Sequence, residues 1–344
     1  MKNYTLKVHS IKRETKDTIT LCFKQPGLKK IKYQAGQYLT LSFRINGRKY
    51  SRPYSFSSSP SADSFLETTI KRVANGVFSN YVHDTIQVND IVEVIEPMGD
   101  FVCNYDEPFN QIYFWGVGSG ITPLISIIKE VLISKGSIHV NLIYGNKNFE
   151  STIFLDLIND LLKKYPENLK VWHFHTQYED NNNMQRYLKS GRINDMFILD
   201  ILKDIDLNQT KHYICGPTDL KNIIKNTLDI LKCPQANIFS EDFELVRNPK
   251  DFEDIVSQSV NIHFQGIDNL IEVEKGKSIL EAALDAGVEL PYSCQTGSCN
   301  TCKGKLITGE IRMIGLSKER NDLVQGDFLM CCSHPLTSNV SVQI

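Results

Sequence analysis

This 344-residue chain lacks several features that would settle its class at once. No apolar run approaches the ~18 residues that a membrane span needs, so nothing in it reads as a transmembrane segment. The start, Met1-Lys-Asn-Tyr-Thr-Leu-Lys7, is charged early and has no apolar stretch, so no secretory signal is expected. Neither sign of charge is in clear excess, with 38 Lys and Arg against 40 Asp and Glu. That balance removes the electrostatic case for a nucleic-acid partner or a strongly anionic membrane. There is no internal repeat and no low-complexity tract. Nine cysteines, an odd number spread over a long chain, do not suggest a disulfide framework. Reduced thiols fit a cytoplasmic protein. The length allows two or three domains.

Four of those cysteines are the strongest signal present. Cys294, Cys299 and Cys302 lie in Pro291-Tyr-Ser-Cys-Gln-Thr-Gly-Ser-Cys-Asn-Thr-Cys302, and Cys331 and Cys332 follow in Phe328-Leu-Met-Cys-Cys-Ser-His-Pro335. A C-x4-C-x2-C run with a distant fourth Cys is the plant-type spacing for a two-iron, two-sulfur cluster, which needs soft thiolate ligands. Gly297 and Ser298 let the loop approach the cluster closely, with backbone N–H groups aimed at sulfur. The competing reading is structural zinc. Zinc sites usually use two separate C-x2-4-C units, and only one short pair exists here.

Three blocks differ in texture. Thr18–Phe23, Tyr38–Phe43 and Ile91–Ile95 read as strands, with Asn46-Gly47 as a hairpin turn. They predict a small antiparallel barrel. Next, strands at Ile112–Trp115, Val140–Tyr144, Val171–Phe174 and Tyr213–Cys215 alternate with helices at Pro123–Ser134, Phe154–Lys164 and Asp219–Leu231. Alternation of this kind predicts a parallel sheet with crossovers. Asn248–Asp254 is polar and proline-bearing and reads as a linker. The last block has strands at Val260–Phe264 and Leu270–Val273 around a turn at Gly266. A helix follows, opened by the capping box Ser278–Glu281 and stopped by Gly287.

Trp115-Gly-Val-Gly-Ser-Gly-Ile-Thr-Pro123 joins a predicted strand to a predicted helix. Thr122 is expected to cap that helix and Pro123 to occupy its first position. Gly116, Gly118 and Gly120 would admit a pyrophosphate to the positive helix end. The spacing is not G-x-G-x-x-G, and such a turn is by itself compatible with an ordinary strand–helix connection. After Tyr144-Gly145, Lys147 and Ser151 are candidates for a nucleotide 2′-phosphate, where an acidic residue would favour the free ribose hydroxyl.

Arg52-Pro-Tyr-Ser-Phe-Ser57, Gly76-Val-Phe-Ser-Asn80, the glycine turn and Cys215-Gly216-Pro217 occur in one order along residues 1–246. In that order they resemble the ferredoxin–NADP reductase superfamily. Residues 259–344 resemble the plant-type ferredoxin family, in which the last ligand commonly sits four residues before a proline. That rule selects Cys331 before Pro335, while counting from Cys302 leaves Cys332 open. The resemblance implies a multidomain fold. An antiparallel β-barrel for flavin would span 1–105 and an α/β parallel-sheet nucleotide domain 106–247. A linker over 248–258 would lead to an α+β β-grasp ferredoxin domain over 259–344.

The same resemblance implies residue roles. Arg52 would hold a flavin phosphate, while Tyr54 would offer an aromatic face and Ser55 a hydroxyl near the reducible edge. Gly76 and Ser79 would bind pyrophosphate. The family often has Gly-Gly where this chain has Asn75-Gly76, a departure that leaves FMN open beside the expected FAD. Phe101, in Pro97–Phe101, would either cover flavin or fill core. Cys215, with Gly216 and Pro217, would orient the nicotinamide without acting as a nucleophile, and the bland alternative is a buried Cys. Glu241 is the matching acidic residue, with Asp242 as competitor.

The implied function is a relay from NAD(P)H, with NADPH preferred, through FAD to a 2Fe-2S cluster. The domain order is similar to that of reductase components of bacterial multicomponent oxygenases, of the phenylacetyl-CoA epoxidase reductase type. A terminal oxygenase, hydroxylase or desaturase would receive the electrons. Two alternatives are a reductase for a hybrid-cluster protein and a zinc-stapled interaction module on a degenerate flavin fold.

Overall fold

The computed structural model describes residues 2–344 apart from 26, 28, 29, 105–107, 178–186 and 317. The expected boundary at 105 and 106 lies outside the described residues. Two compact units are present, one built from Asn3–Leu39 with Tyr54–Glu241, the other chiefly from Thr40–Pro53 with Asp242–Ile344.

The first sheet contains β1 (Asn3–Thr15), β2 (Thr18–Lys24), β3 (Tyr38–Ile45), β4 (Arg48–Ser55), β5 (Leu66–Lys71) and β6 (Ile91–Met98), with α1 (Val77–Thr85) between the last two. Its order is β4-β3-β6-β1-β2-β5. β1 pairs antiparallel with β2 and β6, and β2 with β5. An antiparallel bridge between Phe56, just past β4, and Thr68 of β5 joins the two ends of that order, as barrel closure requires. Asn46 and Gly47 both take positive φ, 51° and 81°, so the β3–β4 turn is the hairpin its sequence predicts.

A second sheet contains β7 (Gln111–Val117), β8 (His139–Asn146), β9 (Leu169–His175), β10 (Leu188–Ser190), β11 (Thr210–Cys215) and β12 (Ile238–Glu241). The helices are α2 (Ile121–Ser134), α3 (Leu155–Lys164), α4 (Asp195–Leu202) and α5 (Thr218–Ile230). Every pair in the order β10-β9-β8-β7-β11-β12 is parallel. The central strands are apolar on both faces because helices cover both. Ile112 and Phe114 pack with Ile121, Leu124 and Ile128 of α2 on one side. Trp115 and Ile214 pack with Ile198, Ile224 and Leu228 of α4 and α5 on the other. Chain progression reverses between β7 and β11, which makes that gap the topological switch point.

The cysteine-bearing block contains β13 (Gln258–Phe264), β14 (Ile267–Val273), α6 (Ile279–Asp285), β15 (Lys303–Thr308), β16 (Ile311–Met313), β17 (Asp327–Leu329), β18 (Ser333–Pro335) and β19 (Val340–Gln343). Five strands run β14-β13-β19-β15-β17, with β13 parallel to β19, and β16 pairs with β18. Ile279, Leu280 and Ala283 of α6 fill the core under Val260, Ile262 and Val342. Ser278 and Glu281 form the capping box read from the sequence. The segment 248–254, read as a linker from its polarity, folds into a 3-10 turn at Pro249–Phe252. Its one large apolar residue decides the matter, since Phe252 is buried with Ile255 and Ile314.

Candidate active site

Strand register brings the nucleotide motifs together. Cys215 at the end of β11 lies opposite Gly116 of β7 on one side and opposite Glu241 of β12 on the other. Three residues chosen separately from the sequence therefore share one row at the carboxyl ends of the strands. Glu241 holds that place, and its competitor Asp242 is one residue further on. A β-carbon on Gly120 would lie 2.1 Å from the Cys215 carbonyl oxygen, so the turn presses directly onto the end of β11. The neighbouring Gly216 and Pro217 lead straight into α5, for which Pro217 is the N-cap.

Helix α2 starts at Ile121 with Gly120 as its N-cap and has no side-chain cap. The expectation for Thr122 and Pro123 is thus corrected. Both lie inside the first turn, and the Thr122 hydroxyl donates to the Ser119 carbonyl at 3.0 Å. Adoption of a 3-10 turn by Gly118–Gly120 moves the helix start two residues earlier than Pro123 implies. The first amide of the helix, the Ile121 N–H, is bonded within the turn to the Gly118 and Ser119 carbonyls. The Tyr144 hydroxyl donates to the Gly118 carbonyl at 2.9 Å and braces the turn, a role that sequence reading missed.

Burial first, then the nearby Glu241 charge, pushes the Cys215 thiol well above its usual range, with Lys221 opposing. A neutral buried thiol is a poor nucleophile. Lys147 is exposed beyond β8. The Ser151 hydroxyl is engaged locally, donating to the Asn148 carbonyl at 3.0 Å and accepting from the Asn148 N–H at 3.1 Å. Of that pair, only the lysine is held toward solvent.

The flavin motifs also meet. Tyr54 of β4 and Phe78 of α1 have ring centroids 5.8 Å apart. Ser55 and Ser79 are buried. Helix α1 begins at Gly76 with no side-chain cap, leaving its first N–H groups available to an anion. The Ser79 hydroxyl accepts the Val73 N–H at 3.0 Å, and a β-carbon on Gly76 would stand 2.8 Å from that hydroxyl. The Arg52 guanidinium donates to the Ser51 carbonyl at 2.8 Å. The uncapped end of α1 offers N–H donors of the kind that bind an anion. Phe101 resolves to core, buried in the cluster with Ile112 and Phe114 and edge-on to Tyr213 at 5.3 Å.

The cysteine loop gathers four thiols. Cys294 is within hydrogen-bonding reach of Cys299 and Cys331, and Cys302 of Cys331. The contact from Cys299 first, and from Cys331 second, holds the Cys294 thiol below the usual range. Among the described residues no three His, Cys, Asp or Glu surround a single point as one metal ion requires. A 2Fe-2S cluster takes four thiolate ligands, shared between its two irons. The Cys332 thiol also lies within reach of Cys331, and it donates to the Leu329 carbonyl at 3.3 Å. The Thr296 N–H donates to Cys294 Sγ at 3.4 Å, one of the loop amides expected to face sulfur. Gly297 takes φ 73°, and a β-carbon there would lie 2.2 Å from Leu316. Arg320, which sequence reading also missed, donates to the Gly297 and Cys299 carbonyls and ties the loop from outside.

Comparison with known proteins agrees with this geometry. Residues 5–103 match the oxidoreductase FAD-binding domain, 114–226 the oxidoreductase NAD-binding domain, and 262–336 the 2Fe-2S iron-sulfur cluster binding domain. The chain is 31% identical over 350 residues to a component of the 1,2-phenylacetyl-CoA epoxidase of Escherichia coli (strain K12), covering 98% of this chain and 97% of that protein. It is 28% identical to the ferredoxin reductase component of 3-ketosteroid-9-alpha-monooxygenase from Rhodococcus rhodochrous, covering 98% and 96% of the two chains. The fold is similar to that of phthalate dioxygenase reductase, with a TM-score of 0.69 at 21% identity over 99% of this chain and 98% of that one. No described helix is long and apolar enough to cross a membrane. With all three domain types in one order and full-length similarity above 30%, the chain belongs to the ferredoxin–NADP reductase superfamily, in the branch of NAD(P)H-dependent oxidoreductases that carry a C-terminal plant-type 2Fe-2S domain.

Proposed function

We propose that this protein supplies single electrons from NAD(P)H to a terminal oxygenase, hydroxylase or desaturase. The observation that carries the reading is the four-thiol loop downstream of a nucleotide crevice in the same chain. Its relatives include named components of an epoxidase and of a monooxygenase, which supports an oxygenase-type acceptor.

When bound, FAD and the cluster supply the conversion of a paired-electron donor into a one-electron outlet, and the protein fixes their positions. Arg52, the α1 N-terminus at Gly76 and the Ser79 hydroxyl would hold the flavin diphosphate. Tyr54 and Ser55 would line its ring. Gly116, Gly118 and Gly120, with Thr122 and Pro123 inside the first turn of α2, would shape the turn that receives the nicotinamide nucleotide pyrophosphate. Cys215, followed by Gly216 and Pro217, would pack against the nicotinamide, with Glu241 beside it. Cys294, Cys299, Cys302 and Cys331 would ligate the cluster, leaving Cys332 as a buried neighbour. Exposed Lys147 supports NADPH over NADH.

The domains are proposed as 1–105, 106–247 and 259–344, with 248–258 joining the last two. Free cysteines throughout the chain support placement in the reducing cytoplasm. The test is anaerobic reduction of the purified protein by NADH and NADPH in parallel, followed by an electron-spin spectrum. Reduction of flavin and then of a two-iron centre is expected. Protein without flavin absorbance, or with zinc in place of iron, overturns the proposal.

A further inference from the structure

Two buried hydrogen bonds tie the cysteine loop to the β3–β4 hairpin. The Ser51 N–H donates to the Tyr292 hydroxyl at 2.9 Å. The hydroxyls of Thr40 and Ser293 share a hydrogen bond of 2.7 Å. All four residues are buried. Ser42 and Ser51 join hydroxyls at 2.8 Å, so Ser51 is held from both its main chain and its side chain. At the exposed rim Arg44 grips Glu289 through two bonds of 2.8 and 3.1 Å, and Arg48 reaches Asp285 at 3.0 Å.

These contacts are not equal. Exposed ion pairs contribute little because water replaces them readily. A buried N–H that loses its partner has no such replacement. β4 stands at the end of the sheet order, and the Tyr292 hydroxyl serves the Ser51 N–H in place of a neighbouring strand. Position along the chain gives the contact its meaning. Tyr292 and Ser293 immediately precede Cys294, and Ser51 immediately precedes Arg52.

We propose that Tyr292 and Ser293 are positioning residues that latch the cluster loop to the flavin-bearing strand and so fix the spacing across which electrons pass. The proposal rests on the function given above. No bond is made or broken at the latch. Its effect is geometric, and small displacements of reacting groups carry large costs in rate. The tyrosine ring alone would serve a purely structural role, so the hydroxyl is the part to test.

The experiment compares wild-type holoprotein with Tyr292→Phe, which keeps the ring, and Thr40→Val, which cuts the second bond from the hairpin side. Iron content is matched, and if Tyr292→Phe loses iron, Thr40→Val carries the comparison. On anaerobic mixing with NADPH or NADH, flavin bleaching is expected at the wild-type rate in both variants. Cluster reduction, followed by visible absorbance and spin signal, is expected to slow about tenfold or more. Hydrogen exchange at the Ser51 amide in Tyr292→Phe is expected to speed up about tenfold, as loss of one buried partner implies. Wild-type rates of cluster reduction in both variants overturn the latch, even if exchange is faster. Wild-type protein whose flavin is not reduced overturns the functional reading instead, and the latch with it.

Discussion

The carbonyl oxygen of Cys215 stands 2.1 Å from the point that a β-carbon on Gly120 would occupy. Gly120 has φ −62°, an ordinary helical value, so its identity is set by contact and not by backbone freedom. Because the obstacle is main chain at the end of a central strand, it cannot swing aside. Gly120→Ala should destabilise the protein by about 1–3 kcal/mol through overpacking. It should also slow flavin reduction by NAD(P)H while flavin absorbance is retained. Thermal unfolding and anaerobic bleaching measure the two effects, and a variant with wild-type values for both contradicts the packing.

Cys299→Ser and Cys331→Ser should each lose the iron–sulfur spectrum and transfer to one-electron protein acceptors, yet keep reduction of flavin by NAD(P)H. Cys332→Ser should keep its iron, because its thiol already faces the Leu329 carbonyl, a partner a serine hydroxyl can also use. Iron per chain decides the matter. Iron retained in Cys331→Ser and lost in Cys332→Ser reverses the ligand assignment.

Arg52→Ala should weaken flavin retention by about 10- to 100-fold, the range for losing one charge-assisted hydrogen bond of ~1.5–3 kcal/mol. Arg52→Lys should recover only part, since an ammonium lacks the planar fork. Flavin content after gel filtration at a series of dilutions gives the answer, and equal retention in all three proteins removes Arg52 from the site.

Burial lowers His212 from 6.5 to about 3. Its ring accepts from Trp115 Nε1 at 3.3 Å and contacts the Thr210 hydroxyl at 3.0 Å, an arrangement suited to the neutral imidazole. Unfolded protein therefore binds a proton below pH 6.5 that the folded protein refuses until about pH 3, so stability rises with pH across that window. Going from pH 7.5 to 5.5 should cost about 1.4 kcal/mol from this residue. His173, lowered to about 4 by burial first and His175 second, adds in the same direction. Urea unfolding at the two pH values should show the fall, and His212→Gln should make it shallower. An unchanged slope in that variant places the effect elsewhere.

What the sequence made legible was local. The Asn46-Gly47 turn, the Ser278–Glu281 box and the cysteine spacing each complete their chemistry within a few residues. The row Gly116–Cys215–Glu241 was legible as separate motifs, and only parallel register turned them into neighbours. Thr122 was misplaced because Gly118–Gly120 already coils, a choice between 3-10 and extended backbone that three permissive residues do not announce. Contacts at long range left no trace. Trp115 and His212 are 97 positions apart, and Thr40 and Ser293 are 253 apart. Neither pair has a motif, since each is an ordinary residue type whose partner is chosen by the fold.

The hairpin at Thr40–Pro53 packs as part of the unit that holds the cysteines, although 188 residues, Tyr54–Glu241, intervene in the chain. Severing the protein at the polar stretch near Asn248 would therefore not release a self-contained electron carrier. The C-terminal fragment would present a bare face at Tyr292 and Ser293 where the hairpin belongs. A version of this protein made in pieces has to supply that hairpin to both halves or accept a carrier whose surface differs from the native one.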